Sequence, residues 1–372
     1  MERLPPARRR LPGSPLEIDC ASDSDAAILG RAVSRAARLL RLGVAGLGGM
    51  GTLHAANADR LTGAELVAVA STRAARAETV ATELGARPCT YAELFAAEDV
   101  DAIVLAARSA DHGAVAVRVL DAGKHLFLEK PGATSLVEHE QLRKAAAAAP
   151  QQIVQVGYMR RYDAAFVDAA ERVQRGEAGM PLVVLMTSRD MEWPEGEDPR
   201  DTGGFLLDMA SHDYDAACWL LGDEPVEVSA VRQAQVYPHL ADVGDLDNAV
   251  VTIRFAGGGL AVTHVSRTSP FAHDIRCEIA GTEGSVFVRG SGDGEAAFIG
   301  RGDAGRFPSD YSARFADAYR LELQAFVDAC LARRATGPSL DDDAKAVAIG
   351  VAARASAIAG RPLAVGGDWP WP

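Results

Sequence analysis

Leu42-Gly43-Val44-Ala45-Gly46-Leu47-Gly48-Gly49-Met50-Gly51 is the stretch that decides the fold of this chain. An apolar strand runs into Gly46-x-Gly48-x-x-Gly51, and a helix-like segment, Thr52 to Leu61, follows. A dinucleotide-binding βαβ unit needs that order. Gly46 permits a tight turn, Gly48 lets the backbone approach a pyrophosphate, and Gly51 allows close packing of helix on strand. The helix N-terminus then directs free N–H groups and its dipole at the phosphates. Gly49 and Met50 complete the loop.

Outward from this motif, the first half alternates short apolar runs with helical segments, the signature of a parallel sheet. Strands are expected at Arg41–Ala45, Glu65–Ala70, Ala102–Ala106, His125–Leu128 and Ile153–Val156, with helices near Ala74–Leu84, His112–Ala122 and Ser135–Ala149. The second half changes character. A helix near Ala164–Arg175 precedes longer strands at Leu182–Thr187, Val226–Gln233, Ala249–Phe255, Leu260–Arg267, Ile275–Ala280 and Ser285–Val288. Val251, Ile253 and Phe255 alternate with more polar neighbours, as in a sheet with one covered face. Helices near Phe315–Arg333 and Asp342–Ala359 close the chain. The expected organisation is an extension over 1–39, a nucleotide domain over 40–157 and a sheet domain over 158–372.

At 372 residues the chain is too long for one ordinary core. A formal charge of −13 argues against nucleic acid or an anionic membrane as partner. No apolar run approaches the ~20 residues of a membrane helix, and Arg8-Arg9-Arg10 is followed by no apolar segment of an export signal. Cys20, Cys89, Cys218, Cys277 and Cys330 are widely spaced without a CxxC. They read as reduced thiols of a cytoplasmic protein, and their spacing leaves no zinc site, so no metal is expected.

The place about 20 residues past the last motif glycine, where a carboxylate usually holds the ribose of NAD, carries Ser71, followed by Thr72 and Arg73. Two hydroxyls and a guanidinium suit a 2′-phosphate, which favours NADP tolerance over strict NAD use; the plain alternative is that Arg73 is a solvated residue opening a helix.

Two constellations carry the chemistry. Glu129-Lys130-Pro131 follows the strand His125–Leu128 at the carboxyl end, where ligands bind in such sheets. Lys130 could stabilise alkoxide charge there, although a Lys-Pro pair taken alone is usually a turn. In Asp208-Met209-Ala210-Ser211-His212, a helix would set Asp208 and His212 on one face. His212 could take a proton as an alcohol is oxidised, with Asp208 orienting it or bonding the same hydroxyl; in isolation the pair reads as a solvated helix face.

With Ala122-Gly123-Lys124-His125, Gln155-Val156-Gly157-Tyr158-Met159-Arg160-Arg161-Tyr162-Asp163 and Asp274–Ile279, these motifs make the chain resemble the Gfo/Idh/MocA family of NAD(P)-dependent oxidoreductases, most closely its inositol 2-dehydrogenase branch. The resemblance runs from about Leu40 to Leu363. It implies an α/β Rossmann domain followed by an α+β domain with a large, mostly antiparallel open sheet, through which such chains form dimers or tetramers. It implies Lys130, Asp208 and His212 as the catalytic trio, with hydride transfer from a polyol carbinol to nicotinamide. Arg108, His112, Glu129 and Lys130 join the glycine loop, Ser71, Thr72 and Arg73 on the cofactor. Met159, Arg160, Asp190 and His273 join the trio on the substrate.

The chain departs from the pattern where Ser71 replaces the usual acidic residue, where His273 replaces a Tyr, and in a longer loop over 190–202. The first expectation is oxidation of myo-inositol to the 2-ketone. Rivals are another sugar or aminocyclitol as substrate, a glycosidase that uses NAD transiently, and a nucleotide sensor, against which the intact trio speaks.

Overall fold

The computed structural model describes residues 39–191, 198–270, 272–288, 308–367 and 369. Nearly all of the 1–39 extension, Cys20 and the middle of the 190–202 loop therefore lie outside the described residues.

The first part of the chain runs β1 (Leu40–Ala45), α1 (Gly49–Ala58), β2 (Ala64–Ala70), α2 (Ala74–Leu84), β3 (Arg87–Cys89), α3 (Tyr91–Ala96), β4 (Ala102–Leu105), α4 (Ser109–Asp121), β5 (His125–Glu129), α5 (Leu136–Ala148) and β6 (Val154–Gly157). The strands form a six-stranded parallel sheet of order β3-β2-β1-β4-β5-β6. Strand order therefore reverses between β1 and β4, and a crevice opens there at the carboxyl ends of the strands. Leu42, Val44, Ile103, Val104 and Phe127 are fully buried, as a sheet covered on both faces requires. The edge strand β3 and the helix α3 were not legible in the sequence. Arg-Pro-Cys has no apolar run, and only the Thr90–Glu93 capping box marks the helix start.

After β6 a 3-10 turn, Met159–Tyr162, leads into α6 (Ala164–Gln174) and β7 (Pro181–Arg189). Three helices follow, α7 (Pro199–Thr202), α8 (Phe205–Asp208) and α9 (Ser211–Leu221), then β8 (Pro225–Gln233), β9 (Asn248–Phe255), β10 (Leu260–Ser266), β11 (Asp274–Gly281) and β12 (Ser285–Val288). The chain closes with α10 (Tyr311–Arg314), α11 (Ala316–Ala332), α12 (Leu340–Ala359) and β13 (Leu363–Ala364).

The second sheet has seven strands in the order β12-β11-β7-β10-β9-β8-β13, antiparallel except for β7 against β10. Alternation sets its two faces. Ala249, Val251, Ile253 and Phe255 of β9 are buried, whereas Leu185, Val250 and Phe287 are 41%, 45% and 51% exposed on strands of the same sheet. Helix α11 follows β12 in sequence yet packs on the first sheet, where Leu323, Phe326 and Val327 join Leu42, Val44 and Phe127. The second part of the chain thus reaches back over the dinucleotide sheet. No helix among the described residues is long and apolar enough to cross a membrane.

Candidate active site

The glycine loop joins β1 to α1 at the crevice. Gly46 has φ +93°, a left-handed conformation that disfavours side chains, and a Cβ there would strike the Ala106 carbonyl. A Cβ on Gly51 would collide with the Gly46 carbonyl oxygen, so the third glycine brings helix onto strand. At Gly48 the space a side chain would fill has no atom within 4 Å. This open cradle sits at the N-cap of α1, which starts at Gly49, three residues before the Thr52 expected from sequence. A pyrophosphate fits both the space and the unpaired N–H groups of the first turn.

Ser71 follows β2, and its Oγ accepts from the Arg73 backbone N–H at 3.2 Å. Thr72 and Arg73 are exposed. Arg76, which the sequence did not mark, lies across the glycine loop and donates to the Leu47 carbonyl at 3.2 Å and the Thr52 hydroxyl at 2.8 Å. It puts a second guanidinium against the glycine loop, one helical turn beyond Arg73 and visible only once α2 is docked.

Lys130 follows β5 directly and joins Pro131 through a cis peptide bond. Its ammonium donates to the Asp208 carbonyl at 2.8 Å and to Asp208 Oδ1 at 3.1 Å. The carbonyl is available because the helix expected to carry Asp208 and His212 together is broken. α8 ends at Asp208 and α9 starts at Ser211, whose hydroxyl also donates to the Asp208 carbonyl at 3.1 Å. The Asp208 carboxylate therefore pairs with Lys130, and no hydrogen bond joins it to the imidazole among the described residues.

His212 is half-buried, with Nδ1 buried and without a hydrogen-bond partner. The Tyr158 ring stands edge-on to it at 6.0 Å. Burial lowers its pKa well below the usual histidine value, and the fields of Lys130, Arg160 and His273 add to the effect. The imidazole is thus held neutral and ready to accept a proton.

Asp190, just past β7, pairs with His273, just before β11, at 2.6 Å, while His273 Nε2 is buried without a partner. The structure thus joins two residues that the sequence singled out separately.

Five other expected site residues are committed elsewhere. Arg160 is 3% exposed and spends its guanidinium on Asp213 and, at 2.9 Å, on Ser188. Asp213 in turn accepts from Ser188 at 2.7 Å and from Thr263, so the residue after His212 is locked into the second sheet. Met159 packs in the main core. His112 is buried with Nδ1 2.8 Å from the Pro131 carbonyl and Nε2 3.1 Å from that of Ala107; a neutral ring donates to only one of them. It reaches the crevice only through backbone. Glu129 points inward to His54 at 2.6 Å, with the fully buried Glu322 behind it. Burial and the Glu129 charge raise the Glu322 pKa well above the usual carboxyl range. Arg108 is 64% exposed at the crevice mouth and pairs with Asp111 at 2.9 Å and Asp201 at 3.5 Å.

Comparison with known proteins identifies the family of both parts of the chain. Residues 40–158 match the model of the oxidoreductase family with an NAD-binding Rossmann fold, and 166–287 match the GFO/IDH/MocA C-terminal domain. The chain is 36% identical over 332 residues to a scyllo-inositol 2-dehydrogenase (NAD(+)) of Bacillus subtilis, covering 87% of this chain and 96% of that one. It is 32% identical to a myo-inositol 2-dehydrogenase of Thermotoga maritima, over 85% of this chain and 96% of the relative. Among solved structures, the scyllo-inositol dehydrogenase of Lactobacillus casei with bound NAD(H) and scyllo-inositol superposes with a TM-score of 0.80 at 25% identity, covering 88% of this chain and all (100%) of that one.

Proposed function

The chain belongs to the Gfo/Idh/MocA family of NAD-binding oxidoreductases, and on that premise we propose that it oxidises a ring hydroxyl of a cyclic polyol, myo- or scyllo-inositol first, to the ketone. One observation carries the reading. Lys130 is held by Asp208 beside a neutral His212, at the strand end that faces the glycine loop. When bound, the dinucleotide supplies the two-electron acceptor at its nicotinamide ring. His212 takes the hydroxyl proton, and the Lys130 ammonium stabilises the oxygen as it gains negative charge. Asp208 holds that ammonium in place. Arg160 serves the pocket through Asp213, while Asp190 and His273 line the substrate side.

Both NAD and NADP are accepted on this reading. No carboxylate stands at Ser71 to repel a 2′-phosphate, and Arg73 and Arg76 flank the position. We assign the dinucleotide part to 40–157 and the substrate and assembly part to 158–372. The exposed apolar side chains Leu185, Val250 and Phe287 favour a homo-oligomer formed through the open sheet face. Buried thiols at Cys218, Cys277 and Cys330 suit a cytoplasmic setting.

The Asp190–His273 pair favours a second reading, in which the same chemistry acts on an aminocyclitol or another sugar. A panel of inositols, aminocyclitols and hexoses, followed at the nicotinamide absorbance with NAD and with NADP, separates the two. Stoichiometric accumulation of reduced cofactor with an inositol supports the proposal. Absence of accumulation with every polyol overturns it, as does product release without net reduction, the mark of a glycosidase.

A further inference from the structure

Helix α12 opens with three consecutive aspartates that meet three different fates. Asp341 is 74% exposed and pairs with Arg143 at 2.8 Å. Asp342 closes a capping box with Ser339 and pairs with Arg161 at 3.0 Å. Asp343 has no exposed surface. A carboxylate so placed is costly unless donors fill its oxygens. The N-terminal dipole of α12 helps, and three groups complete the shell. Oδ2 accepts the Gly132 backbone N–H at 2.9 Å and lies 2.9 Å from His139 Nε2, while Oδ1 accepts the Tyr158 hydroxyl at 2.6 Å.

Two of these donors bracket the catalytic pair. Gly132 is two residues beyond Lys130, and Tyr158 directly follows β6, the strand beside β5, with its ring at 89° to His212. The approach at Gly132 depends on the missing side chain, since a Cβ there would strike Asp343 Oδ2. Burial and the Asp343 charge keep the Tyr158 hydroxyl protonated, so it remains a donor.

We propose that Asp343 is a positioning residue that sets the spacing of the Lys130 ammonium and the His212 imidazole, by tying the turn after Lys130 and the ring that backs His212 to one carboxylate on α12. It touches neither substrate nor cofactor. The inference rests on the reading of Lys130 and His212 as the acid–base pair. Its effect falls on turnover, because a misplacement of about 1 Å costs up to about a hundredfold in rate. The glycine loop hangs from other strands, so dinucleotide affinity is untouched.

The experiment uses the full chain with inositol and NAD, assayed well below each variant's melting temperature. Asp343→Asn and Tyr158→Phe each lower kcat at least about tenfold, with NAD affinity changed by less than about twofold. The double variant loses little more than either single one, because both cut the same tether. Asp341→Asn, on the exposed side of the same helix turn, leaves kcat within about twofold. Turnover within about twofold of wild type in Asp343→Asn and Tyr158→Phe overturns the proposal, and so do losses that multiply in the double variant. Should Asp343→Asn fail to fold, Tyr158→Phe decides alone by the same criterion. Lys130→Ala and His212→Ala are measured alongside. If they keep activity, the acid–base reading falls and takes the inference with it; if they are inactive while Asp343→Asn is normal, only the inference falls.

Discussion

The glycine loop and the cluster of Lys130, Asp208 and His212 border one crevice but are made of different materials. Gly46 to Gly51 builds its site from backbone within one short turn, and its requirements are steric: a positive φ, a close approach and an open cradle. Lys130 and Asp208 build theirs from side chains 78 residues apart, helped by a broken helix, a buried tyrosine and a carboxylate from α12. The first kind of site survives as a local word in the sequence. The second depends on how separate elements are docked, so chemistry and cofactor binding should be separable by mutation.

The largest expected effect tests that separation. Lys130→Ala and His212→Ala each lower kcat by at least about a hundredfold, the low end for losing acid–base assistance, while NAD affinity from fluorescence titration stays within about threefold. Near-normal turnover in both variants breaks the comparison. Gly51→Ala acts on the other side. Its Cβ meets the Gly46 carbonyl, so NAD affinity should fall at least about tenfold, and overpacking should cost about 1–3 kcal/mol of stability by chemical denaturation. Unchanged affinity would show that the loop has slack absent from this structure.

Smaller effects sharpen the contrast. Ser71→Asp restores a carboxylate beside the ribose and should shift the ratio of kcat/KM for NAD over NADP about tenfold toward NAD, about the worth of one charge-assisted contact. A ratio that does not move argues that Arg76 rather than Ser71 governs the choice.

The pH dependence belongs to the cluster alone. A pKa held below the ordinary histidine value keeps His212 neutral to lower pH, so kcat/KM should stay flat down through about 6.5 and fall only in more acid solution as the ring is protonated. Lys130→Met removes a cation that lowers this pKa, so the His212 titration followed by NMR should move upward. A titration at or above the ordinary value in the wild type would show that the ring is open to water.

The smallest effect concerns assembly. Leu185→Asp with Phe287→Asp on the open sheet face should shift the sedimentation profile toward a smaller species and leave NAD affinity in place.

By itself the sequence determined the dinucleotide loop and most of the order of strands and helices, β3, α3 and the break between α8 and α9 excepted. Apolar periodicity, glycines at obligatory turns and a Lys-Pro at a strand end are local properties, written where they act. Only the tertiary structure decided that Arg160 serves Asp213, that Asp190 meets His273, and that of three adjacent aspartates the third is buried against Tyr158 and the turn after Lys130. In the sequence, Asp341-Asp342-Asp343 is merely an acidic first turn suited to a helix dipole. The same holds for the break between α8 and α9, which frees the Asp208 carbonyl for Lys130. Burial and partnership are relations between distant segments, and a chain states them only once its elements have packed.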